Sequence, residues 1–293
     1  MQYQKYKIEH KKILDKIANK KLYGYIMSNL QSSLFSIGFS DEFIRYFVNN
    51  FSELDFEDFY NKFGEEISKI YDIGFFQKIV PEYFSNEVVP HIPESNTILD
   101  LGCGTGILIH SLSKSQKFKN LIGIDLNKYV EWEQFKNPKI SFKIIMENEF
   151  EDFLKKTQPN NVILTWTLHH MDYGEQSRYL KEIFKIINIG SRLIILEDSY
   201  AEKLPPRNGK IIYDSFIKLN SSERKIVMSV YDWIANRILA RRKSVAIPFG
   251  YRTLEEWQNL CEGIGYKTIE KVFIGFPDKR DINTPQSLLI VEK

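Results

Sequence analysis

The chain has few cysteines and no long apolar run. Its only cysteines, Cys103 and Cys261, exclude a disulfide framework, and no CxxC pair offers a metal or redox site. No stretch reaches the roughly 20 apolar residues that cross a bilayer, and the N-terminus lacks the apolar core of a secretion signal. These absences favour a soluble, cytoplasmic protein with no membrane partner.

The chain also lacks a large excess of either positive or negative charge. Lys and Arg together number 40 and Asp and Glu 38, a net charge of +2 that disfavours a nucleic-acid partner. Seven lysines lie within the first 22 residues, where Ile13, Leu14, Ile17 and Leu22 recur at helical spacing. This pattern predicts an amphipathic helix with a solvated basic face, although such a face could also bind a membrane or an anionic partner.

What the sequence does contain is an ordinary globular composition, with 43 % hydrophobic and 27 % charged residues. Residues 1–92 lack alternation and predict a helical N-terminal cap region, broken near Gly38 and Gly74. The proline-containing connector VVPHIPESN ends this region. We expect a second domain over 93–293, with a helical insertion at about 199–252 that shapes a pocket together with the cap.

Short apolar runs alternate with helical stretches after residue 96. The runs predict strands at 97–101, 120–125, 140–146, 161–166, 191–197, 266–275 and 286–292. The stretches between them predict helices at 106–114, 128–135, 148–156, 173–188 and 253–264. The stretch 210–241 predicts one or two further helices. This alternation predicts an α/β fold in which a parallel sheet is covered by helices through right-handed crossovers.

The stretch TILDLGCGTGILIH places three glycines, at 102, 104 and 106, between the first strand and the first helix of this fold. Glycine weakens a packed element, so a ligand or a neighbouring helix is expected to approach the main chain here. Such a turn lies at the carboxyl edge of the sheet, where α/β folds bind nucleotides. The nicotinamide fingerprint G-x-G-x-x-G requires glycine where Ile107 stands, which disfavours a dehydrogenase.

The segment LDLGCGTG, Leu99 to Gly106, resembles the first motif of the class I S-adenosylmethionine-dependent methyltransferases. The resemblance extends over about two hundred residues, through LIGIDLN, NEFEDF, NNVILTWTLHHM, LIILEDS and the closing PQSLLIVEK. It implies a seven-stranded, mostly parallel Rossmann-like sheet whose last strand is antiparallel. It also implies an enzyme that uses S-adenosyl-L-methionine as cofactor.

The resemblance also implies which residues bind the cofactor. Asp125, nineteen positions after Gly106, corresponds to the acid that holds both ribose hydroxyls, and its carboxylate would repel a phosphate. Asp100 is a candidate for the cofactor ammonium. Both acids could instead cap a strand end or a turn. The remaining candidates are the turn residues Gly102, Cys103, Gly104 and Gly106, then Leu126, the adenine-side residues Glu149 and Phe150, and Trp166 as a pocket wall.

Catalytic residues are harder to predict, because methyl transfer from a sulfonium depends mainly on alignment and exclusion of water. His169 and His170 follow the fourth strand, and either could take a proton from a hydroxyl or could orient the loop. Asp198 could polarise a hydroxyl or amine, or act as a cap.

Candidate substrate contacts follow the fifth strand and lie on the inserted helix. Arg237 and Arg241 could pair with an acidic substrate group, or form a solvated helix face. The candidates for substrate binding are Tyr200, Tyr231, Trp233 and Arg241.

Two features that the sequence lacks limit the classes of methyl acceptor that we expect. TWTLHHM stands where many enzymes that methylate exocyclic or amide nitrogens carry Asp/Asn-Pro-Pro-Tyr/Phe, and no carboxylate trio suits a catalytic magnesium ion, so no metal is expected. We therefore expect methylation of a small molecule, at oxygen, with nitrogen or carbon as alternatives. A protein or RNA substrate contacting the lysine-rich N-terminus is the second hypothesis, and a cofactor-binding module without turnover is the third. The oligomeric state is left open.

Overall fold

A computed structural model describes residues 2–243, 245–247, 250–280 and 282–293. The chain divides into two compact units. The helical unit comprises Met1–Ile79, Asn208–Val245 and Phe276–Thr284, and the sheet unit comprises Val80–Arg207, Ala246–Gly275 and Pro285–Lys293. None of the described helices combines the length and the apolar character needed to cross a membrane.

The helical unit is built from amphipathic helices that begin at polar caps. Asn19, Ser40 and Asp55 accept hydrogen bonds from the first free amides of three of them. The α-helices are α1 (Gln2–Lys16), α2 (Lys20–Ile37), α3 (Asp41–Asn50), α4 (Phe56–Ile67), α9 (Lys210–Phe216) and α10 (Ser221–Trp233). A 3₁₀ turn forms at Phe51–Glu53, and wider π-helical turns form at Ser68–Ile79 and Ile234–Leu239.

Most helical predictions for this unit are confirmed. Ile13, Ile17 and Leu22 are buried, and Gly38 ends α2 in the left-handed conformation, with φ of 102°. The predicted break at Gly74 is wrong, because this residue lies inside the π-helical segment Ser68–Ile79. Burial of Tyr71 and Phe75 in the same segment offsets the roughly 1 kcal/mol that glycine costs a helix.

The sheet unit contains the seven predicted strands in the order β3-β2-β1-β4-β5-β7-β6. Pairs among the first five strands are parallel, and β7 is antiparallel to both of its neighbours. The prediction of a seven-stranded, mostly parallel sheet is therefore confirmed. The strands are β1 (Ser95–Leu101), β2 (Phe118–Asp125), β3 (Ile140–Ile144), β4 (Asn161–Thr165), β5 (Arg192–Asp198), β6 (Lys267–Gly275) and β7 (Gln286–Glu292).

The helices of the sheet unit are α5 (Val80–Tyr83), α6 (Ile107–Ser113), α7 (Phe150–Thr157), α8 (Tyr173–Ile186) and α11 (Leu254–Ile264). Phe84–Val88 is π-helical, and short 3₁₀ turns form at Val89–His91, Val130–Gln134, Glu147–Glu149 and Leu168–His170. The helix predicted at 128–135 is wrong: only the 3₁₀ turn Val130–Gln134 forms there. A new turn starts directly after it at Asn137, so too few residues remain to offset the cost of nucleating an α-helix.

The strand ends of the sheet unit meet at one edge, which positions the site. The parallel strands β1, β2, β4 and β5 all end there, and β7 begins there because Gln286 pairs with Asp198. The central strands β4 and β5 are almost entirely buried, so their terminal residues are held by a packed core. Side chains that follow these ends are therefore placed on a rigid support.

Candidate functional site

The glycine turn between β1 and α6 has two tightly packed glycines and one open glycine. Gly102, Gly104 and Gly106 have φ of 74°, 51° and 81°, a left-handed region that glycine adopts without strain. An added Cβ would lie 2.6 Å from Thr167 Cγ2 at Gly102 and 2.5 Å from Phe142 Cζ at Gly106. At Gly104 the added Cβ would meet no described atom within 4 Å, so this residue leaves room for a ligand.

The carboxylate of Asp125 closes the turn from the end of β2. Its Oδ2 accepts the amide of Gly104 at 3.0 Å, and its Oδ1 accepts the amide of Asn127 at 2.9 Å. Asp125 is thus the strand-end cap that the sequence allowed. Each carboxylate oxygen can accept a second hydrogen bond, so the capping role leaves capacity for two hydroxyl groups.

Asp100 is a buried acid beside this turn. Its side chain is 1 % exposed, and its Oδ1 has no hydrogen-bond partner among the described residues. Burial, with a smaller contribution from the charge of Asp125, raises the pKa of Asp100 to about 8. A buried carboxyl oxygen without a partner is costly, and an ammonium group would satisfy it. Neighbouring Cys103 donates its amide to Ile124 O at 3.0 Å, and burial raises the pKa of its thiol.

Apolar side chains stand exposed on either side of Asp125. Leu126 is 52 % exposed, Ile144 pairs with Asp125 across the sheet and is 48 % exposed, and Met146 is 50 % exposed. They form a surface suited to a flat apolar group such as a purine ring. Ile144 and Met146 were not predicted, because their proximity to Asp125 becomes evident only when the register of β2 and β3 is known.

The predicted adenine-side residues make contacts within the protein. Phe150 is buried and packs against Tyr179 with ring centroids 5.4 Å apart, so it belongs to the contact between α7 and α8. Glu149 Oε2 accepts the amide of Met146 at 3.0 Å, which caps the local 3₁₀ turn. The contact of either residue with the cofactor stays a prediction.

Trp166 follows β4 in an unusual conformation. Its φ is 50°, a left-handed value that a bulky residue rarely adopts and that often marks a functional site. Its ring lies 5.1 Å from that of Phe84 and nearly parallel to that of Tyr83, 6.1 Å away. The indole N–H donates to Gln286 Oε1, and Gln286 Nε2 donates to Asp198 Oδ1. Gln286, which no sequence motif indicated, thus joins two predicted site residues.

A buried carboxylate organises the loop that carries the histidines. His169 Nδ1 donates to Glu197 Oε2 at 2.5 Å, and Glu197 Oε1 accepts the amides of Thr167 and Leu168 at 2.8 and 2.7 Å. The His169 ring also lies nearly parallel to that of Tyr251, with centroids 5.5 Å apart. Glu197 thereby fixes both the loop backbone and the His169 ring.

His170 is half-buried, and its Nδ1 lies 2.8 Å from the carbonyl oxygen of Ala246. A carbonyl only accepts, so Nδ1 carries the proton, and Nε2 is the basic nitrogen of the neutral ring.

The predicted substrate-binding residues do not all belong to the same unit. Tyr200 is buried in the sheet unit, where its carbonyl accepts the amide of Leu254 at 2.8 Å. Tyr231 is buried in the helical unit and donates to Ile26 O at 3.2 Å. Trp233 is buried in the same unit and donates to Glu9 Oε2 at 3.2 Å. Tyr231 and Trp233 therefore form part of the core of the helical unit.

The two predicted arginines differ in exposure. Arg237 is 1 % exposed and pairs with Glu9 at 2.8 Å, so the expectation of a solvated face is wrong for this residue. Arg241 follows the helical segment Ile234–Leu239, is 36 % exposed and pairs with Asp72. Both guanidinium groups are therefore engaged by carboxylates of the helical unit.

Known proteins match this chain over most of its length. A family model described as a methyltransferase domain matches residues 76–271, two thirds of the chain. Carboxy-S-adenosyl-L-methionine synthase of Nautilia profundicola is 24 % identical over 222 residues, which cover 72 % of this chain and 89 % of that protein.

Among solved structures, the 1,6-didemethyltoxoflavin-N1-methyltransferase of Burkholderia thailandensis matches with a TM-score of 0.46 and 13 % identity, over 82 % of this chain and 91 % of that one. A Nostoc punctiforme protein assigned as an O-methyltransferase matches with a TM-score of 0.47 and 12 % identity, over 74 % of this chain and 57 % of that one. The chain therefore spans just over half of that second protein.

The family match covers the glycine turn, the ends of β1, β2, β4 and β5, and the histidine loop described above, whereas β7 lies outside it. The chain belongs to the methyltransferase domain family, and it is a class I enzyme that uses S-adenosyl-L-methionine as cofactor.

Proposed function

We propose that the enzyme methylates an oxygen of a small molecule that has an aromatic or apolar body. The observation that carries this proposal is the strained Trp166, whose ring stacks on Tyr83 and contacts Phe84 at the ligand-binding edge of the sheet. Aromatic side chains at such an edge favour a flat apolar acceptor over a polyanion. The bound cofactor supplies an electrophilic methyl group, so the protein must mainly align the acceptor and exclude water.

The cofactor is held, in this proposal, by the glycine turn and the two acids near it. Asp125 accepts the ribose hydroxyls with its remaining lone pairs, and Asp100 accepts the ammonium with its unpartnered Oδ1. Leu126 and Met146 supply an apolar wall for the purine ring. Gly104 provides the open backbone against which the ligand packs.

His170 takes the proton that an acceptor hydroxyl loses as the methyl group arrives. Its ring is only half-buried and its Nε2 is the basic nitrogen, whereas the His169 ring is enclosed between Glu197 and Tyr251. His169 and Asp198 act as positioning residues, through Glu197 and Gln286 respectively.

The test is transfer of isotopically labelled methyl from S-adenosylmethionine to a panel of phenols, hydroxylated heteroaromatics, aromatic amines, RNA and peptides. Mass spectrometry should find label on a hydroxylated small molecule, together with S-adenosylhomocysteine. His170→Asn should lower kcat at neutral pH and leave a smaller deficit at high pH, where hydroxyl acceptors ionise unaided. Exclusive labelling of RNA or peptide, or formation of a carboxylated S-adenosylmethionine in place of S-adenosylhomocysteine, would contradict the proposal.

A further inference from the structure

Gly104 is held through both of its backbone polar groups. Its N–H donates to Asp125 Oδ2 at 3.0 Å, and its carbonyl accepts the indole N–H of Trp132 at 2.7 Å. Trp132 lies 28 residues further along the chain, in the 3₁₀ turn after β2. The one glycine of the turn that leaves open space is thus fixed from two sides.

The indole is itself supported by an aromatic platform, defined here as Trp132, Phe135, Phe142 and His110. Trp132 stacks on Phe142 with centroids 4.9 Å apart and an interplanar angle of 9°, and Phe135 stacks on His110 with centroids 4.5 Å apart. The Phe142 ring fills the space that a Cβ at Gly106 would enter. The direction of the Trp132 N–H is therefore set by packing.

We propose that Trp132 is a positioning residue of the cofactor site, which holds the Gly104 peptide in the orientation that binds the cofactor. This inference rests on the proposed cofactor site. Glycine rotates freely about its backbone bonds, so without the indole the turn would have to be ordered at the moment of binding. An indole donor also suits this place chemically, because it satisfies a carbonyl without adding a positive charge that would repel the cationic sulfonium and ammonium groups.

Trp132→Phe removes the N–H donor and retains a ring for the stack on Phe142. Calorimetric titration with S-adenosylhomocysteine should show a Kd about tenfold above that of the wild type, from the loss of one well-ordered hydrogen bond. Trp257→Phe is the matched control, because the buried Nε1 of Trp257 has no hydrogen-bond partner among the described residues. Its Kd should stay within twofold of the wild-type value.

Hydrogen exchange of a peptide covering 102–107 separates positioning from general stability. In the free Trp132→Phe protein this peptide should exchange faster, while the melting temperature falls no further than that of Trp257→Phe, whose ring is more deeply buried. If Trp132→Phe does not fold, replacement of Trp132 by benzothienylalanine retains the ring shape without the N–H and should give the same tenfold weakening.

The outcomes distinguish this inference from the proposed site. Unchanged affinity without the N–H, together with loss of binding in Asp125→Ala, would overturn the role of Trp132 and leave the cofactor site intact. Absence of binding by the wild-type protein would overturn the site itself.

Discussion

Glu197 Oε2 lies 2.5 Å from His169 Nδ1, and both side chains are buried, with exposures of 1 % and 2 %. The other oxygen of Glu197 accepts two consecutive backbone amides. One carboxylate at the end of β5 thus determines the path of the loop that follows β4. Several site residues therefore depend on an acid that need not touch the substrate.

Glu197→Gln should destabilise the protein by about 2 to 3 kcal/mol, because the amide cannot accept all three donors at once and leaves one buried donor without a partner. Urea unfolding followed by circular dichroism measures the loss. Glu255→Gln is the control, since Glu255 also accepts two backbone amides, those of Glu202 and Lys203, but is only half-buried and makes these hydrogen bonds in contact with solvent. Its effect should be below about 0.5 kcal/mol. Equal losses in the two variants would contradict the role assigned to Glu197.

Asp100→Asn should stabilise the ligand-free protein at pH 8 and weaken cofactor binding. The pKa of Asp100 is raised from 3.8 to about 8, so the unfolded chain releases this proton at lower pH than the folded chain. The contribution of the protonated carboxyl to stability is therefore complete below about pH 4 and is lost as the pH rises towards 8. The gain in the variant should reach up to about 5 kcal/mol at pH 8 and be negligible near pH 4.

Unfolding at pH 4, 6 and 8, combined with titration of S-adenosylhomocysteine at pH 8, tests both halves of this prediction. A variant that binds the ligand as tightly as the wild type would remove Asp100 from the site.

His10→Phe should remove part of the acid sensitivity of the helical unit. The His10 ring lies parallel to that of Trp233, with centroids 5.2 Å apart, and burial lowers its pKa from 6.5 to about 4. The unfolded chain therefore gains this proton first, so stability present above pH 6.5 is lost as the pH falls to about 4. The loss should be on the order of 2 kcal/mol in the wild type. A series of melts across this range in both proteins should show a shallower decline for His10→Phe, and parallel curves would count against the assignment.

Gly106→Ala should cost about 2 to 3 kcal/mol and weaken binding of S-adenosylhomocysteine. The new Cβ would lie 2.5 Å from Phe142 Cζ, at a residue whose φ is 81°. Gly24→Ala in α2 is the opposite case, because no described atom lies within 4 Å of its added Cβ. There the helix should gain about 0.5 to 1 kcal/mol. Differential scanning calorimetry of the two variants should give melting temperatures on opposite sides of the wild-type value.

The sequence was most informative where local spacing decides structure. Three glycines between an apolar strand and an apolar helix, with Asp125 at a fixed distance, indicated the turn and its acid before any contact was known. The seven strands were equally predictable from the sequence, because buried strands appear as short apolar runs. The roles of the other site residues are determined by tertiary contacts.

Residues whose roles depend on distant partners were not predictable in this way. Trp132 bonds to a carbonyl 28 residues earlier, and Gln286 contacts Trp166 from 120 residues away. Trp233 gave an aromatic signal that suits either a pocket or a core, and its contact with Glu9 places it in the core of the helical unit. Phe150 packs on Tyr179, a contact that the sequence did not indicate.

The position of β7 in the sheet has a consequence for how the enzyme folds. This strand inserts between β5 and β6, both of which are synthesised before it. The sheet must therefore stay open along that seam until β7 arrives, which makes closure a late and non-local folding event. The contacts of Gln286 with Trp166 and Asp198 arise only in that final step, so a partly folded chain with an intact glycine turn still lacks both hydrogen bonds.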